Sequence, residues 1–131
     1  MGHSAEFYID QNLIRIQMSG SITYDEEVQT ILETLADPRM QKDARFLVDR
    51  TRATMTSTPE TVGPLIGLVH ENFAKFGKPK IAIVVSDDYG FAMNRMLELT
   101  SVDKLPHDFM VFREIAEACE WLGVECKHLI D

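Results

Sequence analysis

The sequence KIAIVVSDDYGFAMNRMLEL, residues 80–99, decides the fold. Ile81–Val85 form an apolar run without polar alternation, which is typical of a strand that is covered on both faces. Ser86 and two aspartates follow, as at the N-terminus of a helix. Apolar residues then recur at helical spacing. The stretch therefore predicts a buried strand and a helix over about residues 87–100, the repeating unit of a parallel α/β sheet.

Two further strand–helix units show the same pattern. Phe46–Val48 and Phe109–Phe112 are short apolar runs, and each precedes a segment with helical spacing. The helix after the first run begins around Thr58, and Pro64 within it predicts a distorted first turn or a later start. The helix after the second run covers about residues 113–122. Three buried strands separated by helices predict parallel strands at the centre of a sheet.

The N-terminal part predicts a hairpin and one more helix. Apolar and polar residues alternate over residues 5–19 around a turn at Asp10–Asn12, which is typical of antiparallel strands at a sheet edge. Thr23 and Glu26 have the spacing of a capping box at a helix N-terminus. This helix ends before Pro38, because the residue before a proline disfavours the helical conformation. Its predicted buried stripe consists of Val28, Ile31, Leu32 and Leu35.

The element order is therefore ββαβαβαβα. It predicts an α/β fold with a mixed five-stranded sheet, in which parallel strands lie inside, an antiparallel hairpin lies at one side and the helices pack against the sheet. The 131 residues suit one domain over residues 1–131, with a core of about residues 5–123. The hairpin edge and any exposed apolar helix surface are candidate contacts for a homodimer.

Composition and charge argue against several classes of partner. The chain carries 21 acidic and 13 basic residues, a formal net charge of −8, which disfavours binding to nucleic acids and to anionic membranes. No apolar run approaches the roughly 18 residues of a membrane span, so stable membrane insertion is not expected. Cys119 and Cys126 have neither zinc-ligand nor redox-motif spacing. We therefore expect a cytoplasmic protein in a reducing compartment.

Three stretches together carry a family resemblance: FLVDRTR at residues 46–52, the stretch at residues 80–99, and FMVFREIAEACEWL at residues 109–122. They resemble the STAS domain, the fold of anti-sigma-factor antagonists, and most closely its SpoIIAA-like branch of small bacterial proteins. The resemblance covers about residues 5–123 and rests on core and turn residues. It implies a STAS/SpoIIAA-like fold and a non-enzymatic regulatory or ligand-binding module without a cofactor.

The family resemblance also points to a regulatory turn. The best-known members carry a phosphorylated Ser in an Asp-Ser-Ser-Gly turn after the third strand, and the partner kinase that modifies it is also the anti-sigma factor. When the chain is aligned without gaps from Asp49, Ser57 takes the place of the motif Asp, Thr58 that of the phosphorylated Ser and Glu60 that of the Gly. The resemblance thus makes Thr58 a candidate phosphoacceptor in a degenerate motif. The residues alone offer a helix N-cap as the alternative role of Thr58.

The polar segment after Phe46–Val48 is the first candidate site. Asp49 stands at the carboxyl end of a predicted parallel strand, where ligand crevices form in open α/β sheets. We expect the loop after Asp49 and the start of the second helix to contact a protein partner. The predicted surface consists of Asp49, Arg50, Thr51, Arg52, Thr54, Ser57 and Thr58. The structural alternative is a strand-end carboxylate that pairs with its own neighbours.

An apolar groove beside the second and third helices is the second candidate site. Its predicted residues are Phe73, Phe76, Phe91, Met93 and Met96. Met93 and Met96 cannot both lie at the centre of a narrow stripe with Phe91, so some apolar surface should be exposed. The alternative function is therefore the binding of a hydrophobic, lipid-like small molecule. The structural alternative is that these residues belong to the ordinary core.

The sequence shows no catalytic or metal-binding motif. His70 and Glu71 are adjacent, so they point about 100° apart on a helix and do not face a common ligand. Asp87 and Asp88 also point in different directions, and helix capping explains them. No P-loop, nucleophile elbow or dinucleotide fingerprint is present. We therefore predict neither an enzyme, nor a metal site, nor a bound cofactor.

Overall fold

The structure of the protein is a computed structural model with a mixed five-stranded sheet. The described residues are 2–56, 58–73, 76–101 and 108–126, with only the backbone at Phe73 and Ser101. The strands are β1 (Gly2–Tyr8), β2 (Leu13–Ile22), β3 (Arg45–Met55), β4 (Lys80–Val85) and β5 (Asp108–Phe112). They lie in chain order, with β1 antiparallel to β2 and every later pair parallel. The predicted fold class is confirmed.

Helices lie on both faces of the sheet. The α-helices of the described residues are α1 (Tyr24–Ala36), α2 (Val62–Phe73), α3 (Asp88–Ser101) and α4 (Ile115–Leu122). On one face, Leu47 and Val84 of the sheet pack against Cys119 and Leu122 of α4. The opposite face packs against α1, α2 and α3. We call these the α4 face and the three-helix face.

β3 is longer than the sequence suggested. The strand continues to Met55, so the prediction of a loop directly after Asp49 is wrong. It continues because β2 pairs with it as far as Ile22 and Met55. β4 pairs with β3 only as far as Arg50, so Thr51–Met55 have no strand partner on that side among the described residues. We call Thr51–Met55 the outer half of β3.

α1 is rotated about its axis relative to the predicted stripe. Its buried residues are Glu27, Thr30, Thr34 and Leu35. Leu32 is 43% exposed, so its predicted burial is wrong. The hydroxyls of Thr30 and Thr34 donate to the carbonyls of Glu26 and Thr30, at 2.9 and 2.8 Å. The threonines therefore tolerate burial, because each hydroxyl has an acceptor on its own helix.

Side-chain caps mark the starts of α1 and α3, and a turn of 3₁₀ helix precedes α2. Thr23 accepts a hydrogen bond from the Glu26 amide at 3.3 Å, which confirms the predicted N-cap of α1. Pro59–Thr61 form a turn of 3₁₀ helix before α2, which is the distorted start that Pro64 predicted. At α3 the carboxylate of Asp87 accepts from the amide of the third residue of the turn, Gly90, at 2.9 Å.

Candidate functional site

A bulge in β3 lies directly after Asp49, at the centre of the sheet. Gln17 pairs with Asp49, and Ser19 pairs with Arg52. Two residues of β3, Arg50–Thr51, therefore stand opposite one residue of β2. An extra residue of this kind bends the strand and changes the side-chain alternation beyond it. Such bulges are common next to functional sites.

Asp49 and Arg50, just before and in the bulge, point to opposite faces of the sheet, as adjacent residues of a strand do. The carboxylate of Asp49 accepts hydrogen bonds from the amide and the hydroxyl of Thr51, at 2.9 and 2.7 Å. Asp49 thus accepts from the backbone amide of Thr51, a residue of the bulge. This is the structural alternative predicted from the sequence, a strand-end carboxylate that pairs with its own neighbours. Arg50 points to the other side, toward the three-helix face, together with Phe46 and Val48.

A cavity of about 70 Å³ lies between the sheet and the helices of the three-helix face. A single water needs about 10–15 Å³ by the same measure, so this core cavity has room for roughly five water-sized groups. Its apolar lining consists of Ile16, Ile31, Phe46, Val48, Leu65, Ile66, Val69, Ile81, Ile83, Leu97 and Phe109. Apolar walls of this kind favour an apolar occupant.

Glu27 and Arg50 form the charged part of the cavity wall. Glu27 is 2% exposed and Arg50 is 7% exposed. Arg50 Nη2 and Glu27 Oε2 are 4.0 Å apart, which is longer than the roughly 2.7–2.9 Å of a hydrogen-bonded ion pair. Among the described residues, Glu27 Oε1 and Arg50 Nε have no hydrogen-bond partner. The two charges compensate each other, but part of their hydrogen-bonding capacity is unused.

Weak polar contacts surround the other side of this pair. Arg50 Nη1 lies 3.5 Å from Met55 Sδ, and Asn94 Nδ2 lies 3.2 Å from the same sulfur. Asn94 also donates to the carbonyl of Gly90 at 2.8 Å. A second cavity, of about 10 Å³, is lined by Glu27, Met55 and Asn94 together with α2 and α3 residues. It is close to the minimum for one water, so of these two cavities the core cavity is the one that can hold a ligand.

The predicted interaction surface divides into a buried and an exposed part. Asp49 and Arg50 are buried, and Thr51 is half-buried. Arg52, Thr54 and Thr58 are exposed, and Ser57 lies outside the described residues. Arg52 and Asp49 line a shallow polar depression with Gln17, Ser19 and the first residues of β1. The exposed part therefore comes from the outer half of β3 and the start of the 3₁₀ turn.

Thr58 has an extended backbone directly before that turn. It occupies the N-cap position, but its side chain accepts no capping hydrogen bond within the described residues. A hydrogen bond with the Thr58 side chain instead lowers the pKa of the Glu60 carboxyl group. A phosphate on Thr58 would therefore stand beside a carboxylate, and the two negative charges would repel each other.

The residues of the predicted groove lie in different places. Met93 is buried against α2, whereas Met96 is 40% exposed, which confirms that the two are not equally central. Phe76 and Phe91 pack against the main core, and the Arg113 guanidinium lies 4.4 Å from the centre of the Phe91 ring. The side chain of Phe73 lies outside the described part of the chain. The core cavity is lined by other residues, closer to the sheet.

Sequence reasoning missed Glu27 as a site residue. It is one of three consecutive acidic residues in the first turn of α1, all of which suit the positive end of a helix dipole. Its burial is indicated by spacing alone, because Glu27 precedes Ile31 by four residues and Thr34 by seven. Glu27, Thr30 and Thr34 lie at helical spacing on the same side of α1 as Ile31. That shared side is the signal that could have identified Glu27 as buried.

Metal sites and membrane spans can be assessed for the described residues. They contain no group of three or more His, Cys, Asp or Glu side chains that could hold a metal ion. His70 and Glu71 are exposed on α2. None of the described helices has both the length and the apolar character needed to cross a bilayer.

Comparisons with known proteins support the fold. No protein-family model and no curated protein sequence matches this chain. A solved structure of a DUF3478-family protein with a SpoIIAA-like fold, from Shewanella loihica PV-4, is 18% identical with a TM-score of 0.58. The similarity covers 92% of this chain and 94% of that one.

A second solved structure is the anti-sigma factor antagonist SpoIIAA in its unphosphorylated form. It is 11% identical with a TM-score of 0.53, over 93% of this chain and 98% of that one. At these identities the likeness concerns the fold. The chain therefore has the STAS/SpoIIAA-like fold that its sequence resemblance implied.

Proposed function

We propose that the chain is a non-enzymatic, cytoplasmic regulatory module that contacts a protein partner through the outer half of β3 and the start of the 3₁₀ turn. One observation carries the proposal: β3 extends beyond β4, and Thr51–Met55 lack a described strand partner on that side. The Thr51 carbonyl accepts from the Ser86 hydroxyl at 2.9 Å, so the edge offered to a partner is Arg52–Met55. An unpaired strand edge is a template for main-chain hydrogen bonds with another chain. Exposed Arg52, Thr54 and Thr58 supply polar contacts beside it. The likeness to an anti-sigma factor antagonist supports this class of function.

The proposed contact does not depend on phosphorylation. The sequence departs from the family turn at Ser57 and Glu60, and the Glu60 carboxylate is engaged with the Thr58 side chain. A phosphate on Thr58 would meet that negative charge, so the hydroxyl serves the contact unmodified. This account differs from a phosphorylation switch in one respect: protein isolated from its own cells should bind the partner while intact-mass spectrometry shows no phosphate on Thr58.

The test is a pull-down from cells of the source organism, followed by affinity measurement with the purified partner. The triple variant Arg52→Ala, Thr54→Ala, Thr58→Ala should weaken binding by at least about tenfold, since loss of about 1.4 kcal/mol of contact energy suffices. Lys42→Ala is the matched control, because Lys42 is an exposed cation in the connection before β3. Full binding by the triple variant would contradict the proposal.

A second function is favoured by the core cavity. We propose that the chain binds a hydrophobic small molecule between the sheet and the three-helix face. The supporting observation is a cavity of about 70 Å³ whose walls are largely apolar residues of the core. This site lies closer to the sheet than the groove that the sequence predicted, and it uses α1 as well as α2 and α3.

Native mass spectrometry of protein purified from its own cells tests this second function. The intact chain should carry a co-purifying small molecule that dissociates on unfolding. Ile66→Trp should abolish the added mass, because Ile66 lines the cavity and the larger side chain fills it. Leu99→Trp is the matched control, since Leu is an isomer of Ile and Leu99 is 60% exposed on α3. A mass equal to the bare chain in repeated preparations would count against the function.

A further inference from the structure

We infer that Glu27 and Arg50 recognise an uncharged group that both donates and accepts a hydrogen bond, such as the hydroxyl of an aliphatic alcohol, on a small molecule in the core cavity. The inference rests on the second proposed function, the binding of a small molecule in that cavity. It adds which chemical group the cavity selects.

The charge of the site favours an uncharged ligand. Glu27 and Arg50 carry opposite charges 4.0 Å apart, and both are more than nine-tenths buried. The pair therefore has no net charge to offset a carboxylate or an ammonium group on a ligand. A charge brought into an apolar cavity without a counter-charge is strongly disfavoured.

The unused hydrogen-bonding atoms define the group more closely. Glu27 Oε1 is a buried acceptor and Arg50 Nε is a buried donor, and neither has a partner among the described residues. A hydroxyl can donate to the carboxylate oxygen and accept from the guanidinium N–H at the same time. An ether oxygen can only accept, so it would leave the carboxylate oxygen unsatisfied. A water satisfies both atoms, but it uses none of the apolar wall.

The size of the cavity sets the first probe. The room for roughly five water-sized groups matches 1-butanol, with its hydroxyl at the Glu27–Arg50 pair and its alkyl chain along the apolar wall. Methyl propyl ether is an isomer of 1-butanol that cannot donate. Butyrate has a similar alkyl chain and carries a negative charge. The three probes thus separate hydrogen-bond donation from charge at nearly constant size.

Solution NMR of the wild-type chain measures the affinities. The readouts are the methyl signals of Ile31, Ile66 and Ile83 in the cavity wall and the side-chain N–H signal of Arg50 Nε. 1-Butanol should shift these signals saturably, with an affinity at least about fivefold higher than that of methyl propyl ether or butyrate. The Arg50 Nε signal should respond to 1-butanol most strongly of the three probes.

Each other outcome of this titration has one meaning. Equal affinities for 1-butanol and methyl propyl ether would show that a water fills the polar gap; the inference would be overturned and the cavity function would stand. Tighter binding of butyrate would overturn the inference in favour of an anion site. If none of the three probes shifts the cavity signals, both the inference and the second proposed function fail.

A single substitution should reverse the selectivity. Glu27→Gln keeps the shape of the side chain but leaves the charge of Arg50 uncompensated, so butyrate should become at least about fivefold tighter than 1-butanol. Glu33→Gln is the matched control, because Glu33 is exposed on the same helix. An unchanged order of affinities in a folded Glu27→Gln protein would overturn the inference. The wild-type titration decides the question independently if this variant does not fold.

Discussion

The two faces of the sheet are covered in different ways. On the α4 face, Leu47 and Val84 pack against a single short helix, and its C-terminal carbonyls are held by the sheet. Lys80 Nζ donates to the carbonyl of Trp121 at 2.6 Å, and Arg45 donates to that of Leu122 at 3.3 Å. On the three-helix face, the Glu98 carboxylate of α3 accepts from the Val111 amide of β5 at 2.9 Å. That face nevertheless leaves a cavity of about 70 Å³ between the sheet and the helices.

The helices of the three-helix face are also less regular in sequence. α2 contains Gly63, Pro64 and Gly67 within its first turns, and α1 turns Glu27 and two threonines inward. Glycine and proline weaken a helix interior, and buried polar groups require partners that fill space less completely than apolar ones. The difference between the faces is that the α4 face is closely packed, whereas the three-helix face has a cavity and buried polar atoms, which the proposed small-molecule site would use.

The largest expected effect concerns the buried ion pair. Glu27→Ala should lower the free energy of unfolding by about 3–5 kcal/mol, because it leaves the Arg50 charge buried without a partner. The double variant Glu27→Leu, Arg50→Met should recover at least half of this loss. Urea unfolding of the three proteins measures the difference. A single variant within about 1 kcal/mol of the wild type would mean that the pair is effectively hydrated.

The next effect compares one substitution on the two faces. Leu47→Ala should cost about 3–4 kcal/mol, since Leu47 is 0% exposed and is packed on all sides. Leu65→Ala should cost about 2 kcal/mol, because the Leu65 side chain borders the core cavity and already lacks some contacts. Chemical denaturation checks both values. Equal costs would contradict the difference in packing between the faces.

Glycine substitutions should change stability in opposite directions. Gly67→Ala in α2 should stabilise the protein by about 0.5–1 kcal/mol, because Ala favours helix and the added Cβ has space. Among the described residues, apart from the adjacent residues and the backbone of its own helix, no atom lies within 4 Å of it. Gly123→Ala after α4 should destabilise it by about 1 kcal/mol, because Gly123 has φ of 72° and ends the helix in the left-handed conformation. Thermal unfolding measures both. A loss of stability in Gly67→Ala would show that α2 requires that glycine.

The smallest expected effect is a difference in chemical reactivity between the thiols of Cys119 and Cys126. Burial raises the pKa of the Cys119 thiol to about 12, and the neighbouring Cys126 thiol contributes. A raised pKa keeps the thiol protonated at pH 8, so iodoacetamide should modify half-buried Cys126 first and Cys119 only after unfolding. Peptide mass spectrometry follows the two sites. Equal rates in the folded protein would indicate that the α4 face opens readily.

The fold could be predicted from the sequence because each buried strand is a continuous run of apolar residues. Ile81–Val85 are apolar throughout and buried, and apolar residues recur at helical spacing in the segments around them. The hairpin at residues 5–19 was predicted by alternation and is β1 with β2. These features depend on neighbours along the chain, so they can be read without knowing the tertiary structure.

The candidate site was harder to predict because it depends on contacts between distant residues. The bulge at Arg50–Thr51 is formed by pairing with β2, and no local residue pattern marks it. The polar residues after Val48 have the composition of a loop. In the structure they continue the strand, and the Asp49 carboxylate accepts a hydrogen bond from the Thr51 amide. Glu27 meets Arg50 only when α1 packs on the sheet, and that packing buries a residue whose type predicts exposure.

Methyl NMR of the wild-type chain under xenon pressure tests most directly whether the two faces differ as described. Xenon enters dry apolar cavities without needing a specific polar partner. The account predicts saturable shifts for the methyl groups of Ile66 and Ile83, which line the core cavity, and unchanged signals for Leu13 and Leu47 on the α4 face. Unchanged signals at Ile66 and Ile83, or equal shifts on both faces, would contradict it.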